Sequence, residues 1–383
     1  MSGGRGPAVA DIAVVGSGIA ATAAVIRLLR QGHDPLWIAP ELVAEDIPGE
    51  HLSPAARPML EEIGASGLLA KACHRAEQSV FSAWGSDRLA ERSGIVHLEG
   101  PGTVLDRSVF ERDLRALAIA SGAWPVAARL TDVSREDGYW DIEVDDGARI
   151  GRSAARFILD GSGRAAVVAG VQAPDHAARF RSDRLVALCA FLPQEQGAAV
   201  VPTRATLLET VPDGWWYACL LADGRLVLNF YTDPDLLPRE ATRTLEPFRA
   251  LLADTSYVAR WVEEAGFRQE APPNLVSAGT TWLAPAAGEG WAAIGDAAAA
   301  FDPLSSHGMT TALWSGIRGA EAAAGSLGGD SAALTVYAEK VAQGVQQFLD
   351  SRAAVYGSER RFDGTAFWKR RLAPEIVPEK IHA

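Results

Sequence analysis

Three short stretches combine residue types that chemistry can use. The first is Gly16-Ser17-Gly18 with Ala21 three positions on, placed directly after the apolar run Ile12–Val15. There Gly16 permits a tight turn, Gly18 lets the backbone approach a pyrophosphate, and Ala21 stands where a small residue lets a helix pack on a strand. The N–H groups opening the next helix, at Ile19 and Ala20, would receive the phosphates together with the helix dipole. The second stretch is Asp160-Gly161-Ser162-Gly163-Arg164, again where a strand enters a glycine-bearing turn. The third runs from Ile294 to Leu313 and holds Gly295, Asp296, Asp302, Pro303, Ser306, His307, Gly308 and Met309. An acid closing a strand, as Asp160 and Asp296 do, can bond the hydroxyls of a ribose or ribityl chain. The alanines at 297–300 let that backbone lie against a flat cofactor.

Within the third stretch, His307 is the only histidine in such a motif. With Ser306 beside it, an imidazole titrating near neutral pH can protonate a leaving oxygen or orient a substrate. The alternative is a helix-start residue bonded to backbone. Asp302 reads equally well as the charge at that helix's N-terminus or as a site residue. Arg164 reads as a diphosphate contact or as a solvated turn.

These residues need elements to hold them. Ile12–Val15 suits a buried parallel strand, and Ile19, Ala23, Ile26 and Leu29 follow helical spacing until Gly32. The second strand, Pro35 to Pro40, ends without the acid that grips the ribose of NAD, since Glu41 comes late; this favours FAD. The expected fold class is α/β, a doubly wound FAD-binding domain of the glutathione-reductase type. An inserted mixed or antiparallel sheet forms the substrate domain, and helices follow at the C-terminus. Residues 1–75, 100–185 and 275–325 are assigned to the FAD unit, 76–99 and 186–274 to the sheet domain, and 326–383 to the C-terminal region. In that region Leu334, Tyr337, Val341, Val345, Phe348 and Leu349 predict a helix over the substrate side, with an irregular tail from Leu372. Trp84, Trp215 and Tyr217 are placed as aromatic walls of a substrate cavity that stack on the substrate, with core packing open for each. Trp216 reads as core.

Composition narrows the classes. The chain has 383 residues, 48% hydrophobic and 22% charged, enough for one large domain or two intimate ones. A net charge of −12 with no basic stripe excludes nucleic acid and anionic membrane as partners on electrostatic grounds. No apolar run reaches membrane-spanning length. The histidines show no metal-ligand spacing, so no metal is expected. The three cysteines, with no CxxC spacing, read as reduced, packed thiols in a cytoplasmic protein.

Taken together, GxGxxA near the start, DGSGR in the middle and GD…DP…G late resemble the FAD-dependent aromatic hydroxylases and flavin halogenases. Further segments extend the likeness. Glu45 to Leu69 resembles the GE…L-P segment near the flavin, and Ser82 to Leu89 a strand at the substrate cavity. Val104 to Ala118 looks like the helix whose arginine, here Arg107, contacts FAD, while FDPLSSHG fits a looser halogenase pattern. Two features depart from halogenases: Trp215-Trp216-Tyr217 replaces their Trp-x-Trp signature, and 72–85 lacks the lysine that receives hypohalous acid. The narrower likeness is to flavoprotein maturases of tryptophylquinone cofactors, carried by WWY-A, SAWG, LDR-x-x-F and FWKRR. Where that group carries Gln, this chain has His307. The resemblance implies a monooxygenase in which reduced FAD and O2 deliver an electrophilic oxygen to an aromatic ring, tryptophan or indole, free or within a peptide or protein. NAD(P)H or a partner flavin reductase would supply electrons. A small-molecule hydroxylase or oxidase and a non-catalytic flavin-binding maturation factor are the other readings.

Overall fold

The computed structural model describes residues 9–41, 46, 48–93, 100–373 and 376–379; Glu45, Ile47 and the tail positions 374–375 and 380–383 lie outside them. The strand Val9–Val15 sits inside a parallel sheet, with Leu36–Ile38 on one side and Ile150–Asp160 on the other. Its run from Ile12 to Val14 is buried on both faces, which is why it reads as continuous rather than alternating apolar sequence. Trp291–Ala293 extends the sheet beyond Ile150–Asp160, also in parallel. The register sets Val15 beside Ile38 and Asp160, and Asp160 beside Ala293, so the carboxyl ends of four strands form one edge. Ligands of doubly wound sheets bind at such an edge. The hairpin Arg129–Glu136 and Tyr139–Asp145 adds antiparallel strands next to Ile150–Asp160.

The helix Ile19–Arg30 is buried from Ile19 through Ile26 and again at Leu28, not along the single stripe its spacing predicts. The sheet covers one side, while Gly308–Leu327 and Arg107–Ala120 pack on the others. The crossing with Gly308–Leu327 depends on Gly316: a Cβ there would overlap the Ala20 backbone.

A second sheet orders its strands as Asn274–Ser277, Val186–Leu192, Leu226–Thr232, Gly214–Leu220, Ala205–Val211, Ser79–Ala83 and Ala90–Ser93. All neighbours are antiparallel except Ala205–Val211 with Ser79–Ala83. The strand period of two divides Gly214–Leu220 between its faces. Trp216, Ala218 and Leu220 join a core under the helices Glu246–Ala253 and Tyr257–Glu264, whereas Trp215, Tyr217 and Cys219 face the other way.

The helix Ala333–Ser358 buries Tyr337, Val341, Val345, Arg352 and Tyr356, a stripe that continues the apolar one with an arginine. The tail is more ordered than its prolines suggest. Val377–Glu379 pairs antiparallel with Ala178–Arg181, and Pro378 is accommodated because this strand lies at the sheet's edge. Among the described residues no helix is long and apolar enough to cross a membrane.

Candidate functional site

The three glycine-bearing stretches meet at the carboxyl edge of the first sheet. Gly16 has φ +118°, and a Cβ there would run into the Gly161 carbonyl. A Cβ on Gly161 would meet the Val15 oxygen at 2.8 Å and the Ala21 Cβ at 2.9 Å, and one on Gly295 would meet the Ala20 Cβ at 2.7 Å. Gly16, Ala21, Gly161 and Gly295 therefore bring the turns into contact. Gly18 differs, because a Cβ built on it meets nothing within 4 Å. It is the N-cap of Ile19–Arg30, with no side chain bonded over that N-terminus and no acid in the first turn.

Beyond this junction opens a cavity of about 680 Å³ between the two sheets. Gly18, Ile19, Ala20, Arg107, Gly295, Asp296, Pro303, Ser306, His307, Gly308 and Met309 line it, as do Trp215 and Tyr217 from the second sheet. Asp296 keeps 45% of its side chain exposed and lies 3.6 Å from Arg164, a loose rim pair that leaves the carboxylate available. Ser306 adopts a left-handed conformation, φ 53°, which turns the chain from Pro303–Ser305 into the helix Gly308–Leu327. His307 is the N-cap residue; its side chain is exposed and does not bond the helix N-terminus.

Four of the sequence-derived residues do not line the cavity: Gly16 and Ala21 stay in the junction of the turns, and Asp160 and Trp84 lie elsewhere. Asp160 is fully buried and its carboxylate is occupied: Ser162 donates to it through N–H at 3.0 Å and hydroxyl at 2.5 Å, and the Val168 N–H donates at 2.9 Å. It fixes the turn into Val167–His176 and does not reach the cavity. Trp84 stands behind the cavity wall, with its edge toward Trp215, Tyr356 and Trp368 at 5.5–6.0 Å and its N–H donating to the Val355 carbonyl. Trp215 itself is 1% exposed and stacks on Tyr231 at 4.0 Å.

Asp302 is both wall and foundation. It is fully buried, accepts from the Leu304 N–H at 3.0 Å and the Tyr356 hydroxyl at 2.7 Å, and pairs with Arg352 at 3.2 Å. Trp215 donates to the same Tyr356 hydroxyl at 3.1 Å, so the loop and the sheet wall share one hydrogen-bond chain. Burial raises the Asp302 carboxyl and Arg352 opposes it. The structure also adds residues that sequence reading passed over: Glu50, His51, Glu77, Cys189 and Tyr231 all line the cavity. His51 and Glu77 pair at 3.0 Å. Glu50 stood inside the GE…L-P segment, but nothing in the sequence marks its side chain as buried.

This donor set fits an FAD. Two helix N-termini open on the cavity, at Gly18 and Gly308, neither carrying an acid in its first turn; a Cβ on Gly308 also meets nothing within 4 Å. Arg107 and Arg164 bring cations to the same space, and Ile294 and Ala312 give it apolar floor. Among the described residues no lysine lines it, and Lys71 is bound instead to Asp113 at 2.6 Å with half its side chain in solvent.

No family model matches the chain. LodB from Marinomonas mediterranea, described as an FAD-dependent oxidoreductase, is 24% identical over 309 residues, 79% of this chain and 80% of LodB. Among solved structures, the peptidyl tryptophan dihydroxylase QhpG, essential for tryptophylquinone cofactor biogenesis, superposes with a TM-score of 0.75 at 25% identity, covering 95% of this chain and 79% of QhpG. The myxobacterial chondrochloren halogenase CndH, an FAD-dependent halogenase, superposes with a TM-score of 0.82 at 19% identity, over 95% of this chain and 86% of CndH. The fold is that of FAD-binding hydroxylases and halogenases, and the chain resembles the cofactor-maturation flavoproteins among them.

Proposed function

We propose that this chain is an FAD-dependent monooxygenase that hydroxylates an aromatic ring, with a tryptophan side chain of a peptide or protein as substrate. The observation that carries this reading is the single cavity that joins the open Gly18 turn, the Pro303–Met309 loop and an aromatic wall, with no lysine among its described lining residues. The absent lysine speaks against halogenation. The dihydroxylation of peptidyl tryptophan named for QhpG, the neighbour at 25% identity, supports the substrate class.

In this reading the N-termini of Ile19–Arg30 and Gly308–Leu327 hold the diphosphate and the electron-accepting ring edge, and Arg107 and Asp296 bind polar groups between them. When bound and reduced, FAD supplies the two electrons that activate O2. Trp215 and Tyr217 orient the substrate ring, and the buried sheet face keeps water out. Ser306 and His307, at the rim, orient the rest of the substrate. The electron source is NAD(P)H or a separate flavin reductase.

The test is direct. The purified chain, reduced in air with a tryptophan-containing peptide, is expected to show a flavin absorbance band and to add oxygen to the peptide by mass spectrometry. A chlorinated or brominated product in halide buffer, or flavin oxidation with no product from any indole, would overturn the reading.

A further inference from the structure

Glu50 is the one carboxyl on the cavity wall whose surroundings give it no ion pair among the described residues. It is 2% exposed and held in place by its backbone, whose carbonyl accepts from the Leu105 N–H at 2.7 Å just before the strand His51–Leu52. The carboxylate accepts from the Gly49 N–H at 2.8 Å. Arg107, whose charge reaches Glu50, makes its bonds to Glu111 at 2.8 Å and the Pro48 carbonyl at 2.6 Å and forms no ion pair with it. Beside it, from the strand Gly214–Leu220, comes the buried hydroxyl of Tyr217, whose polar neighbours are the Glu50 carboxyl and the Cys219 thiol. Cys189 and Tyr231 complete the surroundings from the neighbouring strands. A buried acid with a backbone donor, a buried phenol as polar neighbour and no ion pair among the described residues is costly if charged, whereas an acid that must be present uncharged belongs in such a place.

We propose that Glu50 is the proton donor of the cavity, acting with the Tyr217 hydroxyl on the oxygen that leaves the reaction. The proposal rests on the hydroxylase reading above. In that reaction O2, with two electrons from a reduced flavin and two protons from that flavin and solvent, replaces a ring C–H by C–OH and releases one water. Glu50 gives its proton to the departing oxygen as the O–O bond breaks. It takes back the proton that the ring carbon loses as aromaticity returns, so it is unchanged over a turnover. Burial pushes the Glu50 carboxyl up, outweighing the pull of the Gly49 N–H, of Arg107 and of the Tyr217 hydroxyl, and burial also holds Tyr217 protonated well above the usual phenol range. His307, exposed at the rim, lacks this shelter.

The sign of the pH effect follows. Unfolded Glu50 ionises near about pH 4.3, whereas the folded protein keeps its proton to higher pH. The stability of the cofactor-free protein therefore falls as pH rises through the raised value, and Glu50→Gln removes that fall.

Infrared difference spectra of the cofactor-free protein, wild type minus Glu50→Gln at pH 7, are expected to show a protonated carboxyl band that Tyr217→Phe shifts. In turnover with a tryptophan-containing peptide, Glu50→Gln should lower kcat roughly 100-fold and leave FAD affinity unchanged. Absence of the band, or kcat within about twofold of wild type, overturns the proposal. If the wild type hydroxylates nothing while the band is present, the hydroxylase reading fails and the donor step fails with it, leaving only a neutral buried Glu50.

Discussion

Gly18 and Gly161 are the same residue type in similar turns, yet they do opposite things. Gly161 is enclosed, so any side chain there must displace the Val15 carbonyl or Ala21, whereas Gly18 opens onto the cavity with an extended backbone (φ −76°, ψ −176°) that any residue adopts. Gly18→Val is therefore expected to fold with an unchanged melting temperature in the cofactor-free state. Its isopropyl group would occupy the space of the diphosphate and weaken FAD binding by about 100-fold, near 2.7 kcal/mol, in a flavin fluorescence titration. Full FAD affinity in Gly18→Val would remove this turn from the cofactor site. The same distinction between a position and its environment separates the acids. Asp160 closes its strand and Asp296 stands three residues beyond the neighbouring one, but Ser162 and Val168 saturate the first, while the second stands on the rim with a single distant arginine.

At the scale of elements, side-chain direction decides what a motif can touch. Trp215-Trp216-Tyr217 contributes to two different cores because a strand sends neighbours to opposite faces, and only Trp215 and Tyr217 reach the cavity. Alternation separates Trp216 from its two neighbours, but which face meets the cavity was left open in the sequence. The crossing of Ile19–Arg30 with Gly308–Leu327 was not legible there either, since it depends on contact between residues almost 300 positions apart. Gly316→Ala is expected to cost about 1–3 kcal/mol by forcing this crossing apart and, on the proposed function, to weaken FAD binding as well, because both N-termini open on the cavity. Gly344, exposed in mid-helix with nothing near its Cβ position, is the control. Gly344→Ala should stabilise by about 0.5–1 kcal/mol. Equal effects of the two substitutions in thermal melts would show that the crossing has slack.

For the whole molecule, the C-terminal helices are part of the site's foundation. Arg352 joins Asp183 at 3.1 Å to Asp302 at 3.2 Å, Tyr356 links Asp302 to Trp215, and Arg371 grips Asp233 at 2.7 Å beneath the same aromatic layer. The cavity-lining loop is thus fastened by residues about 50 positions later in the chain. Arg352→Met would leave Asp302 buried without its cation and should cost about 3–5 kcal/mol in chemical denaturation. Adding Asp302→Asn should recover part of that loss, since no uncompensated charge then remains. If the double variant is as unstable as the sum of the singles, the ion pair is not what holds the loop.

Local pattern was enough to identify the main elements and the glycine turn at the carboxyl edge of the first sheet. Glycine spacing, an apolar parallel strand and alternating β segments depend on neighbours in sequence, and the sequence carries those neighbours openly. Burial, partner and charge state depend on residues brought together from far apart. Asp160 became a turn-locking acid, Trp84 a backing residue and Glu50 a cavity acid only when Val168, Trp368 and Tyr217 were folded beside them. A carboxylate's chemistry is set by the dielectric and donors around it, and no run of adjacent letters encodes those; the tertiary structure decided which acids hold the fold and which face the cavity.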